Sequence, residues 1–282
     1  MSASEITLSS NLGVVLASMR MRLITISRYK GQLLLDSFIP IVFAAMPILL
    51  GRASGGDDPG AAFEANTGTA NYIAFMLIGS SVFSVVSNAF WHIANWLRWE
   101  MQTGTLEALY LAPTERVWVA GGTALYSMLR SIISALTAYF IGSFILGVNP
   151  LEGDLLLAMA FLLVGMLPLY GVTLLFGAVV LKVKEASALI NVMQWLVSFL
   201  MGIFYPVTIF PPLMRAIALL FPPTWMTNGV RSALLGVGYF FGHWYLDLAM
   251  LWVFMFIAPL IGYRVFKKVE NGVQRNEGIG QF

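Results

Sequence analysis

The sequence predicts an all-α membrane protein: six transmembrane helices, an N-terminal amphipathic helix in the membrane surface, a short cytoplasmic helix between the second and third spans, and a re-entrant helical hairpin before the last span. Three observations carry this expectation. Of 282 residues, 59% are hydrophobic and 11% charged, with a mean hydropathy of +0.80, too little charge to clothe a water-facing surface. Long apolar runs recur, and roughly 20 apolar helical residues cross a hydrocarbon core of about 30 Å. Lysines and arginines gather on one set of connections, as the positive-inside rule requires.

The first ten residues, "MSASEITLSS", lack the basic start and apolar stretch of a cleavable signal peptide, so the mature chain is expected to begin there. Over the next twenty, Leu12, Val15, Leu16, Met19, Leu23 and Ile26 recur at helical spacing, with Ser18, Arg20, Thr25 and Arg28 turned elsewhere. That pattern suits a helix lying in the membrane surface, and residues 1–31 form an N-terminal cytoplasmic segment. Spans are expected at 32–50, 70–92, 118–147, 155–181, 186–206 and 244–266, making a transmembrane domain of residues 32–266 with a cytoplasmic tail at 267–282.

Six crossings put both termini on one side. On that topology twelve of the 16 lysines and arginines share the termini's side, Arg52, Arg215 and Arg231 lie opposite, and Arg130 sits inside the third span. The richer side is cytoplasmic, which places the chain in the inner cell membrane with both termini inside. Trp91, Trp96, Trp118, Trp244 and Tyr263 fall near span ends and suit anchors at the membrane surface.

Residues 207–243 are apolar but cut by Pro211-Pro212 and Pro222-Pro223 into two short helical pieces with one arginine each. Proline is tolerated at a helix start because its missing N–H has no helical partner there. Apolar pieces this short predict a hairpin dipping into the outer leaflet, acceptable only where protein or a wet cavity covers its irregular backbone.

The interruption "EMQTGTLEALYLAPTERVW" (100–118) lies between the second and third spans. As a helix, residues 100–111 put Glu100, Thr103 and Glu107 on one face and Met101, Thr105, Ala108 and Leu109 on the other. Pro113 ends it, and Thr114 can cap the next helix, whose first turn carries Glu115. The segment resembles the "E-x-x-x-G-T-L-E-x-L…P-x-x-R" stretch of the membrane subunit of type-2 ABC exporters. The likeness extends over nearly the whole chain and is nearest to the drug-efflux and nodulation-oligosaccharide branch. By that resemblance residues 100–111 are a coupling helix docking in a groove of a separate ATP-binding subunit, with Glu100, Thr103, Gly104, Thr105, Leu106, Glu107, Pro113 and Arg116 matching the motif.

The resemblance further implies two permease subunits, as a homodimer or a pseudo-symmetric heterodimer, with two ATPase subunits that bind ATP and Mg. The chain itself contains no G-x-x-x-x-G-K-[ST] loop, so it is expected not to be an enzyme and to hold no cofactor. Without cysteine, and with only His92 and His243, neither a metal site nor a catalytic residue is expected. Nothing in the charge distribution points to nucleic acid; membrane lipids are the expected surroundings.

For a transport path, Asn191, Gln194 and Ser198 share one stripe of the fifth span, and Ser84 and Asn88 pair similarly in the second. Polar stripes turn away from lipid, either lining the path or bonding between helices. Arg130 is an intramembrane charge, able to snorkel, to pair with Asp36, or to grip an anionic substrate group. Gly165, Pro168, Gly171 and Gly177 mark close-contact points or a hinge in the fourth span. The competing functions, an ion-coupled secondary transporter or a passive channel, call for mid-span carboxylate relays or leave the acidic segment without a role.

Overall fold

The structure, a computed structural model, describes residues 8–28, 30–54, 59–102, 116–180 and 186–276. Every regular element among them is helical: α1 (Leu8–Arg28), α2 (Lys30–Ser54), α3 (Pro59–Thr67), α4 (Tyr72–Gln102), α5 (Arg116–Leu146), α6 (Leu155–Val180), α7 (Ala186–Leu200), a 3₁₀ turn (Val207–Ile209), α8 (Pro212–Leu219), α9 (Pro222–Leu235) and α10 (Trp244–Asn276).

Among the described residues, five helices are long and apolar enough to cross a membrane, with spans Leu35–Ala53, Tyr72–Trp91, Gly121–Leu146, Leu155–Phe176 and Trp244–Val269. The stretch expected as a span at 186–206 is shorter. Its helix, α7, stops at Leu200 and the chain turns through Gly202 at φ 65°. The fifteen helical residues described cover about 22 Å. Residues 201–206, "MGIFYP", prolong the apolar run but not the helix, since Gly202 adopts a left-handed conformation and Pro206 follows. Helices also outrun the apolar runs: α2 starts at Lys30, so the boundary expected at residue 31 falls inside it, and α4 continues to Gln102. At 31 residues each, α4 and α5 are about 46 Å long and must project beyond the hydrocarbon.

The core forms around α4, which packs against α2, α5, α6 and α9, while α6 and α10 pair closely. Phe75, Leu77, Phe90, Phe161, Met166, Met226 and Leu251 fill the interior. The α6–α10 crossing is set by glycine. A β-carbon at Gly171 would lie 2.3 Å from the backbone of Ala258 and Pro259, and one at Gly262 would lie 2.3 Å from the Gly171 carbonyl. Gly165 likewise makes room for Met226. Both Gly165 and Gly171 are therefore contact points, the small-residue packing that lets membrane helices approach.

Helix α1 lies against the start of α5. Ser18 donates to the Val119 carbonyl at 3.3 Å, and a β-carbon at Gly122 would sit 2.4 Å from the Val15 carbonyl oxygen. Ser18, expected to turn from the buried side, thus faces α5, whereas Leu12, Leu16 and Leu23 are exposed. Helical periodicity identifies an apolar stripe but not which flank of it a neighbouring helix will cover.

The segment 207–243 folds as two helices with proline in the first turn of each, as the paired prolines dictate. Almost all of α9 is buried, and it ends at Gly236 in the left-handed conformation, where glycine pays no steric cost. The chain bond from Asp154 N–H to the Ala233 carbonyl, 2.9 Å, ties the end of α9 to the start of α6.

Candidate functional site

Helices α4 and α5 pack against each other, and the polar segment joins them. Glu100 lies in the last turn of α4 and Arg116 is the first residue of α5. Thr103, Gly104, Thr105, Leu106, Glu107 and Pro113 lie outside the described residues.

The polar stripe expected along the path separates into distinct roles. Gln194 of α7 donates its Nε2 to the Ser87 Oγ of α4 at 2.8 Å and to the Ser87 carbonyl at 3.3 Å, so it joins helices. Ser198 is buried and donates to the Trp195 carbonyl, and Ser84 donates to the Ser81 carbonyl; such bonds satisfy a hydroxyl within its own helix. Asn88 is half-buried, and Asn191 is exposed on α7 beside Val192 and Trp195. Sequence reasoning passed over Ser87, the partner of Gln194, and the aromatic wall next to it. Phe43 of α2 stacks on Phe83 of α4 with centroids 5.5 Å apart, and also meets Phe204 at 5.4 Å and Trp195 at 6.3 Å. One surface shared by α2, α4 and α7 therefore combines aromatic rings with the exposed Asn191.

Arg130 and Asp36 are brought together. Arg130 donates Nε to the Asp36 carboxylate at 2.7 Å, and its Nη2 bonds the same oxygen. Ser134, one turn on, donates to the Asp36 backbone carbonyl at 2.8 Å, so one turn of α5 holds both ends of the Asp36 residue. The pair lies near the beginning of the α2 span and inside the α5 span. Neutralising one partner leaves the other charge alone in an apolar setting, at a cost of about 2.5–3.5 kcal/mol. Asp36→Asn and Arg130→Gln are each expected to lower the thermal midpoint of the detergent-purified protein, and the double variant to regain most of the loss. Strictly additive losses would show that the two side chains do not act as a pair.

Arg231, unlike the half-buried Arg130, is fully enclosed and does structural work. Arg231 of α9, 2% exposed, donates Nε to the Phe75 carbonyl at 3.2 Å and Nη1 to the Gly202 carbonyl at 2.7 Å, and its Nη2 bonds the Ile203 carbonyl. Its guanidinium also stacks on the Phe75 ring, 3.6 Å from the centroid, a cation–π contact. The fork thus captures two carbonyls released where α7 breaks and ties them to α4 and α9. Gly79 makes the space: a β-carbon there would lie 2.0 Å from the Ile203 carbonyl oxygen and 2.1 Å from Arg231 Nη2. Asp247, also buried, accepts the Phe240 and Phe241 N–H groups at 2.8 and 2.9 Å, fixing the loop that enters α10. The available signal was an arginine inside the otherwise uncharged "PPTWMTNGVRSALL"; counting it as a loop charge overlooked that a guanidinium can serve as a carbonyl clamp.

Among the described residues, no group of histidine, aspartate and glutamate side chains could hold a metal ion. The arrangement is one of helix packing, polar clamps and an amphipathic surface. Comparison with protein families matches residues 14–235 to the family described as ABC-2 type transporter, the family that the 100–116 segment resembles. The match runs from α1 to the end of α9. No curated protein matches the chain.

Proposed function

The chain belongs to the ABC-2 type transporter family, and from that premise we propose that it is the permease of an ATP-driven exporter moving an amphipathic, drug-like or lipid-linked substrate outward. Family membership makes it a transmembrane ABC transporter permease whose partner is an ABC ATP-binding subunit. The single observation that carries the finer reading is the acidic "EMQTGTLEALYLAPTER" segment between two long apolar helices, in a chain with no phosphate-binding loop of its own. Glu100, Thr103 and Glu107 present the face that receives the ATPase, and residues 100–111 act as the coupling helix. ATP and Mg are held by that partner, and two permease subunits join two ATPase subunits. The match to the drug-efflux and nodulation-oligosaccharide motif supports that branch.

In this reading the transmembrane domain, residues 32–266, crosses six times in the inner membrane with both termini in the cytoplasm. The clamp on Gly202 and Ile203 supports a sixth crossing. It sets the end of α7 beside Phe75, near the start of α4, while the end of α9 is bonded to the start of α6. In this reading α6 leaves toward the opposite end and α7 carries the chain back across the bundle. The segment 207–243 then returns at the outer face as the re-entrant hairpin. Closure of the ATPase pair moves the coupling helices and tilts the spans as rigid bodies, and the aromatic surface with Asn191 lies along the substrate's route.

The ion-coupled alternative calls for carboxylates able to take up and release ions within the spans. Asp36 is bonded to Arg130 and Asp247 to two backbone N–H groups, which favours structural work for both. Reconstitution of the chain with its ABC ATPase in inside-out vesicles tests the reading: ATP is expected to drive accumulation of an amphipathic fluorescent substrate, with no accumulation from the permease alone. Equal flux driven by a proton or sodium gradient without the ATPase would overturn it.

A further inference from the structure

At the end of the bundle that carries the Arg231 clamp, the helices enclose a cavity of about 380 Å³ bordered by α3, α4, α8, α9 and the loops around them. That volume lies within the range of small-ligand sites. Among the described residues its charged groups are Glu64, Arg215 and Arg231. Arg231 is committed to three carbonyls. Arg215 and Glu64 are exposed to the cavity's opening, neither has a side-chain partner among the described residues, and no ion pair joins them. Among the described residues the cavity thus offers a guanidinium and a carboxylate that do not pair with each other, with net positive charge when Arg231 is included. Tyr239 adds a hydroxyl; burial first, then Asp154 and Asp247, raise its pKa above the ordinary phenol value, so the group stays neutral.

Two further features fix the depth and the shape of a ligand. Trp244 and Tyr245, at the start of α10 just beyond the loop that lines the cavity, are exposed, and such amphipathic rings settle at the level of lipid head groups. Beside Arg215, helix α8 and its C-terminal cap residue expose Leu213 (75%), Ile217 (42%) and Leu220 (71%), spaced i, i+4, i+7 on one face. A polar cavity with both charge signs therefore adjoins an uncovered apolar strip.

We propose that this cavity binds a phosphodiester carrying a nearby ammonium group, the head group of an aminophospholipid, with its acyl chain along Leu213, Ile217 and Leu220. The guanidinium of Arg215 receives the phosphate, whose oxygens match its planar fork; the Glu64 carboxylate receives the ammonium. Neither assignment depends on the exporter reading, because binding is measured without an ATPase and without transport.

Native mass spectrometry of the full chain in detergent, titrated with dihexanoyl phosphatidylethanolamine, dihexanoyl phosphatidylglycerol and free phosphoethanolamine, tests the assignment. Saturable binding of one ethanolamine lipid per chain is expected, weakened about tenfold by Arg215→Gln. Glu64→Gln is expected to remove the preference for the ethanolamine over the glycerol lipid, weakening the first and, because a like charge beside the phosphate is lost, strengthening the second. Leu213→Ser is expected to weaken both lipids and leave phosphoethanolamine untouched. Binding of free phosphoethanolamine as tight as that of the lipid would keep the charge assignment and overturn the acyl contact. Unsaturable lipid uptake, or saturable uptake unaltered by both Arg215→Gln and Glu64→Gln, would overturn the site.

Discussion

Arg231→Met is expected to loosen the whole end of the bundle at which α7 breaks. The substitution keeps an apolar stem in the space but removes every donor to the Gly202 and Ile203 carbonyls that the side chain supplies. Each buried carbonyl left without a donor costs about 1–3 kcal/mol, and for a chain of this size the sum corresponds to a fall in the thermal midpoint of roughly 5–15 °C. Arg231→Lys is expected to recover only part of this, since a single ammonium cannot fork toward three carbonyls and also stack on Phe75. Gly79→Ala should approach the same loss from the other side, by placing a methyl group where the Ile203 carbonyl and the guanidinium meet. Circular dichroism melts of the purified variants make the comparison. Midpoints within about 2 °C of the parent for both Arg231→Met and Gly79→Ala would show that the clamp contributes nothing, the scale of shift associated with less than 1 kcal/mol.

Glu107→Lys is expected to act in the opposite way, leaving the fold intact and disabling work. Reversing a charge at a docking face costs 2 kcal/mol or more, about thirtyfold in association. Purified complex reconstituted with the variant should therefore lose nearly all permease-dependent ATP turnover, with the thermal midpoint of the isolated chain unchanged. Glu152→Lys, an exposed position between α5 and α6, gives the control and should turn over ATP as the parent does. Unaltered turnover by Glu107→Lys would remove the 100–111 segment from the coupling role.

Particular elements show where sequence reasoning succeeded. The proline pairs at 211–212 and 222–223 give helix starts because a residue without an N–H belongs there. The apolar runs at 70–92, 118–147, 155–181 and 244–266 became long helices, since in lipid a helix satisfies every backbone group internally. Hydropathy was least able to place α7. Six apolar residues after Leu200 look continuous with the helix, whereas Gly202 turns left-handed and the released carbonyls go to an arginine 29 residues away. The polar stripe of α7 illustrates the same limit on a smaller scale: spacing put Asn191, Gln194 and Ser198 together, but only the position of Ser87 on α4 separated a helix-joining amide from an exposed one.

By itself the sequence determined the class: composition and run length demand a helical membrane bundle, and the acidic 100–118 interruption carries the likeness to the family that the chain belongs to. Tertiary structure alone decided which polar groups face each other. Arg130 meets Asp36, Gln194 meets Ser87, and Arg231 meets the backbone at the α7 break. The physical reason is that hydrophobic burial reads residue type and is summed along the chain, whereas a hydrogen bond depends on distance and direction between atoms that only packing brings within about 3 Å.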